Sequence, residues 1–430
     1  MKKIVSAVAI AAMAAGFATA EMKATLNYRT QMNAFSYDKV ENGKKTTTTT
    51  TKFDQSGYAD AKDAIKFAFN GENAGATLQL DPTAGTGSPT INNYNAWLKF
   101  GALKFEGGTW KDGYADGAYR VKKFGDATSL QGVDGEAFKL GSLYKSRQSS
   151  FVDDLSSGGK LSLFAEYTLP ATDDLTLKLL GGIVTSAWYS DSVVDGDETD
   201  ATNDKSGYVA RVQANLNGTL DSEFIWKSMT NRNGAFALYV RPKMVSGLDM
   251  TVGGAVEYET YTMSGWNVDL RARYAVDSNL AISTWNNISA VSKDADKNGS
   301  AVLSKELTGI KGGSDWGAKY DTATAGSGTT MAMWNNINAQ YKINDMFTPF
   351  LSVGLLTPLS KASKDDKATM DVDVSMQWRV TPGVQIFAAS NAFFTIGASF
   401  SGTSYKTAAA KDNEVSHFTV SVPVIFRVKM

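Results

Sequence analysis

From His417 to Met430 the chain alternates almost without error. Phe418, Val420, Val422, Val424, Phe426, Val428 and Met430 share one parity, and His417, Thr419, Ser421, Pro423, Ile425, Arg427 and Lys429 the other. That is a β-strand with one oily and one wet face, because successive side chains of a strand point to opposite sides. In a chain that is 43% hydrophobic, seven apolar residues in a row on one parity arise by chance in roughly 0.3% of placements. A tilted strand needs only about 9 to 11 residues to cross a bilayer, so this segment is long enough to span one.

The same pattern repeats along the chain. It begins with Met22, Ala24, Leu26, Tyr28, Met32 and Ala34 against Lys23, Asn27, Arg29, Gln31 and Asn33 in a strand ending near Phe35. Further strands are predicted at 57–70, 75–81, 91–100, 103–110, 159–169, 175–187, 206–216, 219–230, 234–243, 249–262, 266–276, 279–290, 330–342, 346–357, 368–380, 384–396 and 414–430. Including the first, these make about eighteen; sixteen remain if the weak strand at 75–81 and a neighbour merge into loop.

Connections alternate in length. Tight turns are expected at 71–74, 101–102, 170–174, 217–218, 244–248, 277–278, 343–345 and 381–383, where Gly, Pro, Asn and Asp collect. The intervening loops are in most places longer: 36–56, 82–90, 111–158, 188–205, 231–233, 263–265, 291–329, 358–367 and 397–413. Short turns on one rim and long loops on the other are a property of outer-membrane barrels, and an even strand count puts both chain ends on the short rim. Aromatic residues on the oily parity beside the tight turns (Phe100, Tyr167, Tyr274, Tyr341 and Trp378) fit an interfacial girdle, as Tyr258 and Trp266 do at the other rim.

Composition narrows the class further. Beyond the N-terminus no apolar run reaches the length of a spanning helix, so any crossing must be made by strands. Mean hydropathy, at -0.22, does not discriminate, because a barrel with a wet interior averages its two parities to such a value. Residues 1–20 read as a secretory signal: Lys2 and Lys3, an apolar stretch from Ile4 to Ala15, then Ala18-Thr19-Ala20 before Glu21. Strand 1 then starts too close to the cleavage point to leave room for a plug. There is no cysteine, which excludes disulfides, thiolate metal sites and a lipid anchor. Removing the two leader lysines from 43 basic residues leaves 41 against 44 acidic, a charge of about -3 that gives no reason to expect nucleic acid.

Charge within strands falls on the wet parity, including Lys104, Glu106, Glu166, Arg211, Asp221, Glu223, Glu257, Glu259, Asp269, Arg271, Arg273 and Arg427. A charge facing lipid costs on the order of 2 to 4 kcal/mol at the midplane, so any barrel sorts its charges this way. Barrels of about eighteen strands are too wide for strand side chains to fill, and an unplugged one should hold water.

With these features the chain resembles the Gram-negative outer-membrane porins, including their spirochaete-type version. The signal segment, the terminal strand and the hairpin Tyr94-Asn-Ala-Trp-Leu-Lys-Phe-Gly-Ala-Leu-Lys-Phe-Glu-Gly-Gly-Thr-Trp110 carry the resemblance. In porins a similar hairpin, with one glycine at its turn and another near its end, precedes a loop that folds into the bore and narrows it. Here the longest loop, 111–158, follows. Met430 stands where porins usually end in Phe, and their run of arginines facing a compact acidic loop is not evident. The resemblance implies a homotrimer, a wall of which could lie at the short outer loops 231–233 and 263–265.

The expected fold is therefore an all-β transmembrane antiparallel up-and-down barrel forming one domain over residues 21–430, set in outer-membrane lipid. The expected role is passive diffusion of small hydrophilic solutes and ions, without cofactor or metal. Candidate constriction and lining residues are Asp112, Asp116, Arg120, Lys122, Lys123, Glu257, Glu259, Arg271 and Arg273, since charge at a narrow point selects ions by sign. A solvated surface loop fits the charge mix of 111–158 equally well. The rival role is a surface adhesin or antigen displaying loops 36–56, 111–158 and 291–329. An enzyme is disfavoured: His417 is the only histidine and no serine partner is identifiable. The Thr46–Thr51 run reads as an exposed loop tip, and Trp285-Asn-Asn-Ile288 recurs as Trp334-Asn-Asn-Ile337, too short a repeat to indicate duplication.

Overall fold

The computed structural model describes residues 21–42, 46–54, 64–82, 89–109, 137, 140, 161–185, 207–229, 234–259, 262–291, 331–360, 373–374, 376–406 and 414–430. The alternating segments join into one antiparallel sheet. In chain order they are β1 (Glu21–Asn42), β2 (Thr46–Asp54), β3 (Ala64–Asn70), β4 (Ala74–Pro82), β5 (Pro89–Phe100), β6 (Leu103–Thr109), β7 (Leu161–Pro170), β8 (Leu175–Thr185), β9 (Gly207–Leu216), β10 (Leu220–Met229) and β11 (Gly234–Pro242). There follow β12 (Leu248–Glu259), β13 (Thr262–Ala275), β14 (Leu280–Val291), β15 (Met331–Tyr341), β16 (Phe347–Ser360), β17 (Asp373–Val374), β18 (Gln377–Ala389), β19 (Ala392–Gly397), β20 (Ser399–Lys406) and β21 (Glu414–Lys429).

Most segments pair with their sequence neighbours, and β21 pairs with β1 over fifteen residue pairs from Asn27↔Lys429 to Asn42↔Val415, so the sheet closes on itself. Leu26 and Met430 complete the seam by exchanging backbone hydrogen bonds of 2.7 and 2.8 Å. Three crossings of the wall are each built from two segments. The upper part of β1 pairs with β2 and its lower part with β3; β17 and β18 both pair with β20; β19 and β20 both pair with β18 and β21. Among the described residues the twenty-one segments thus make eighteen staves, in agreement with the alternation.

The wall is inverted relative to a soluble protein. Large apolar residues face outward and are exposed, among them Leu98, Leu163, Leu179, Val212, Phe224, Leu238, Val256, Val268, Ile282, Leu351 and Phe394. Polar ones on the opposite parity are buried inside, among them Arg211, Glu223, Asn267, Asp269, Arg271, Asn287, Asn338, Thr381, Gln385 and Thr395. In water such sidedness would forfeit the hydrophobic driving force, whereas in a bilayer the outer face is solvated by lipid and the closed ring leaves no unpaired edge.

Phe100, Tyr167, Tyr274 and Tyr341 sit at strand ends beside short turns, all outward and exposed. The turns are locally encoded. Asp277 Oδ1 accepts backbone N–H bonds from Asn279 (2.7 Å) and Leu280 (2.8 Å), which hold its carboxyl below the usual carboxylate range. Asn344 does the same for Met346 and Phe347. Gly218 follows Asn217 with φ of 66°, the left-handed conformation that the tight hairpin requires.

Aromatic rings lie flat over glycines in the directly opposite position of the neighbouring strand. On the inner face these are Trp97 over Gly75, Phe164 over Gly182, Tyr239 over Gly253 and Phe350 over Gly383. The glycine provides a flat bed that a side chain would remove, and the ring covers backbone that would otherwise be bare. A Cβ at position 253 would lie 2.4 Å from Tyr239 Cδ1. Gly253→Val should therefore lower the unfolding free energy of the reconstituted barrel by about 1 to 3 kcal/mol, the usual cost of overpacking. Adding Tyr239→Ala should recover part of that loss, and a denaturant midpoint unchanged in the single variant would contradict the pairing.

Five expectations need correction. The segment 397–413 is not all loop: Ser399–Lys406 form β20, paired with β21. The Thr381–Gly383 turn does not exist: β18 runs through it to Ala389, and the short turn lies at Ser390–Asn391. Pro382 is tolerated because its carbonyl accepts from Ala398 N (2.9 Å) where β19 gives way to β20, so the nitrogen lacking a hydrogen faces an existing break. Trp378 consequently sits at the far end of its strand from the short turn, packed on Gly402 and 6.2 Å from Phe418, and does not belong to the girdle at the short turns. The segment 36–56 is largely strand, not loop: β1 continues to Asn42, and the threonine run forms β2, opposite Tyr37 to Asn42. Branching at Cβ suits threonine to that role. Finally, β13 starts at Thr262, so the short connection to β12 is 260–261 and not 263–265; an irregularity between Glu257 and Tyr258 displaces the pattern there.

Candidate pore

The interior is not lined evenly. From β9 to β21 most described inner side chains are buried, whereas along β4 to β8 Thr77, Gln79, Asn95, Trp97, Lys104, Glu106, Glu166 and Lys178 remain partly open. The open side carries both signs. Lys104 binds Glu106 at 2.8 Å and lies 5.3 Å above the Trp97 ring.

On the covered side, and across its border to Glu166 on β7, the charges neutralise one another. Arg211 Nη2 donates to Glu166 at 3.2 Å, and its Nε lies 3.3 Å from Glu223 Oε1, at ion-pair distance but without hydrogen-bond alignment. Lys243 binds Asp221 (2.7 Å), which also accepts from Asn215. Asp249 takes Arg241 at 3.1 Å and Arg271 at 3.8 Å, and Asp269 accepts from Asn287 at 2.6 Å. Buried charges are tolerated only when paired in this way.

The predicted site residues separate accordingly. Arg271 is buried on β13 between Asp249 and Thr251 Oγ1 (3.5 Å), and Arg273 is half-buried on the same face. Glu257 stands opposite Ala235 and Gly265, and Glu259 opposite Thr262, near the long-loop rim. The side chains of Glu257, Glu259 and His417, the loop residues Asp112, Asp116, Arg120, Lys122 and Lys123, and the leader segment lie outside the described residues.

Two residues of the long loop are described, and both are inside. Ala137 and Leu140 are helical and buried, and they form one apolar cluster with Phe350 and Ile425. Ser352 Oγ donates to the Ala137 carbonyl (3.0 Å) and Thr381 Oγ1 to that of Leu140 (3.2 Å). Asn338 Nδ2 supports Ser352 at 2.5 Å, and Ser399 Oγ lies 3.1 Å from Thr381 Oγ1. The folded-in alternative therefore holds for this part of the loop, which is pinned to the inner wall at β16, β18 and β21. Nothing in the charge pattern pointed there. Phe350 and Ile425 are apolar residues on the wet parity, but so are Phe164, Leu180, Val209, Ile225 and Tyr239 of a second buried cluster, so sequence alone did not single out the anchor.

No family model matches the chain, and no curated protein does. Solved structures of outer-membrane channels resemble it over nearly their whole length. OccK11 (OpdR) of Pseudomonas aeruginosa shares 8% identity, with 95% of this chain and 96% of that one covered at a TM-score of 0.45. OpdQ of the same organism shares 10%, with 95% and 98% covered, at 0.44. The outer membrane channel DcaP of Acinetobacter baumannii shares 11%, with 96% and 98% covered, at 0.38. The spirochaete-type refinement finds no support in these likenesses. At such values they transfer no function, and the chain's own geometry has to carry it.

Proposed function

We propose that residues 21–430 form a water-filled pore of a bacterial outer membrane, exported by the signal at 1–20, through which small hydrophilic solutes and ions diffuse down their gradients. The observation that carries this is the sidedness of a closed ring: apolar residues outward, polar residues inward, and one inner wall left partly open. The passage runs along β4 to β8, opposite the wall that holds Ala137 and Leu140, so the long loop narrows the bore from one side. Lys104, Glu106, Glu166 and Lys178 line that passage with mixed sign, which favours weak discrimination by charge over strict selection. The protein works as a homotrimer and is not an enzyme.

The purified mature chain, refolded and added to a planar bilayer, should give discrete open steps in the nanosiemens range. A correctly folded barrel, verified by its heat-dependent gel mobility, that stays electrically silent would remove the pore and leave the display of surface loops as the role. Sedimentation in mild detergent should report three copies; monomers alone would remove the trimer.

A further inference from the structure

The outward parity of β7 to β13 carries no carboxamide and no charge. On β14 and β15 the rule is broken. Asn286 and Asn335 stand directly opposite one another, with Thr284 opposite Ile337 beside them. Each asparagine is six residues from the short-turn end of its strand, at Leu280 and Tyr341. Six residues at about 3.3 Å, tilted by about 45°, give a height of roughly 14 Å, close to the middle of the hydrocarbon layer. Asn286 Nδ2 donates to Thr284 Oγ1 (2.9 Å), whose own proton goes to the Asn336 carbonyl (2.9 Å). Among the described residues Asn286 Oδ1 and the whole Asn335 carboxamide have no partner. Two amides with unused hydrogen-bonding capacity at the centre of a bilayer are costly unless another polar surface covers them.

The short Trp-Asn-Asn-Ile repeat explains the symmetry of this patch. Its two copies pair antiparallel, Trp285↔Asn336, Asn286↔Asn335 and Asn287↔Trp334, so both tryptophans turn inward and both first asparagines outward at one depth. Copies in a membrane are related by rotation about its normal, which preserves depth. A carboxamide is both donor and acceptor, so a patch on the rotation axis meets its own complement.

We infer that a second copy of this chain covers the patch: the symmetry axis of the oligomer passes beside Asn286 and Asn335. The inference rests on the membrane-pore reading, since only there is the outer face in lipid. It moves the self-association surface from the low wall expected near β10 to β13 to the neighbouring β14–β15 face.

The chain lacks cysteine, so Asn335→Cys introduces the only thiol. In vesicles of purified phospholipid, mild oxidation should link up to two of every three Asn335→Cys copies as a disulfide-bonded pair, the third thiol of each trimer staying free, because thiols on a symmetry axis come within reach of one another. Ala210→Cys, at similar height on β9, should stay monomeric on denaturing gels. Asn286→Leu with Asn335→Leu, which removes the amides and keeps the wall apolar, should weaken self-association in detergent about tenfold, since interhelical polar contacts of this class contribute modestly but measurably in lipid. Conducting channels in which Asn335→Cys links no better than Ala210→Cys would overturn the inference and spare the pore. So would a double leucine variant that keeps its full oligomeric mass. A folded barrel that never conducts would instead defeat the pore reading, and the two failures are read in separate assays.

Discussion

Arg211→Ala is expected to cost about 3 to 5 kcal/mol of folding free energy, the range found when one partner of a buried ion pair is removed. Arg211 is 5% exposed and stands between Glu166 and Glu223, whose side chains are 15% and 0% exposed. Without the guanidinium, the carboxylates that Glu166 on β7 and Glu223 on β10 both extend toward β9 lose their shared counter-charge, with little water to screen them. Denaturant unfolding of the barrel in vesicles should show a lower midpoint. Arg211→Met combined with Glu166→Gln and Glu223→Gln should regain most of the loss, because the desolvated charges go with it. A single alanine variant that unfolds at the wild-type midpoint would mean that the triad does not hold this wall.

Leu140→Asp is expected to raise single-channel conductance about twofold or more, as a loop leaving a constriction widens the conducting section. Burial of the leucine side chain contributes about 1.5 to 3 kcal/mol, and the two bonds from Ser352 and Thr381 about 1 kcal/mol each. The anchor is therefore worth only a few kcal/mol, and a carboxylate pressed against Phe350 and Ile425 would outweigh it. Ser352→Ala with Thr381→Val, which removes the two hydroxyls and keeps the apolar contact, should give a smaller increase with noisier open levels. Conductance identical to the parent in Leu140→Asp would show that Ala137 and Leu140 do not control the bore.

Strand existence was legible in the sequence because lipid and interior impose opposite demands on alternate residues, and seven of the eight tight turns fall where Gly, Asn, Asp or Pro cluster. Boundaries were lost where the ladder slips. The irregularity between Asn33 and Phe35 reverses the parity, so β1 looked finished seven residues before its end. The break at Ala398 did the same between β19 and β20. Pro382-Gly383 has turn composition, but Gly383 is needed as the bed for Phe350, a cross-strand demand that local sequence does not show. The outward asparagines were visible as a repeat, and their meaning depended on knowing that the repeat pairs with itself. Arg271 was legible as an inner residue but not as a neutralised one, because Asp249 lies twenty-two positions away and becomes its neighbour only through the β12–β13 register.

The seam between β1 and β21 joins the first described segment to the last, so the ring is completed by the contact most distant along the chain. Until that contact forms, every intermediate presents two raw ladders of unmatched amides and carbonyls, which can recruit strands from other molecules. Assembly should therefore be slow, all-or-none at its final step, and dependent on helpers that shield the open ends while the polypeptide waits.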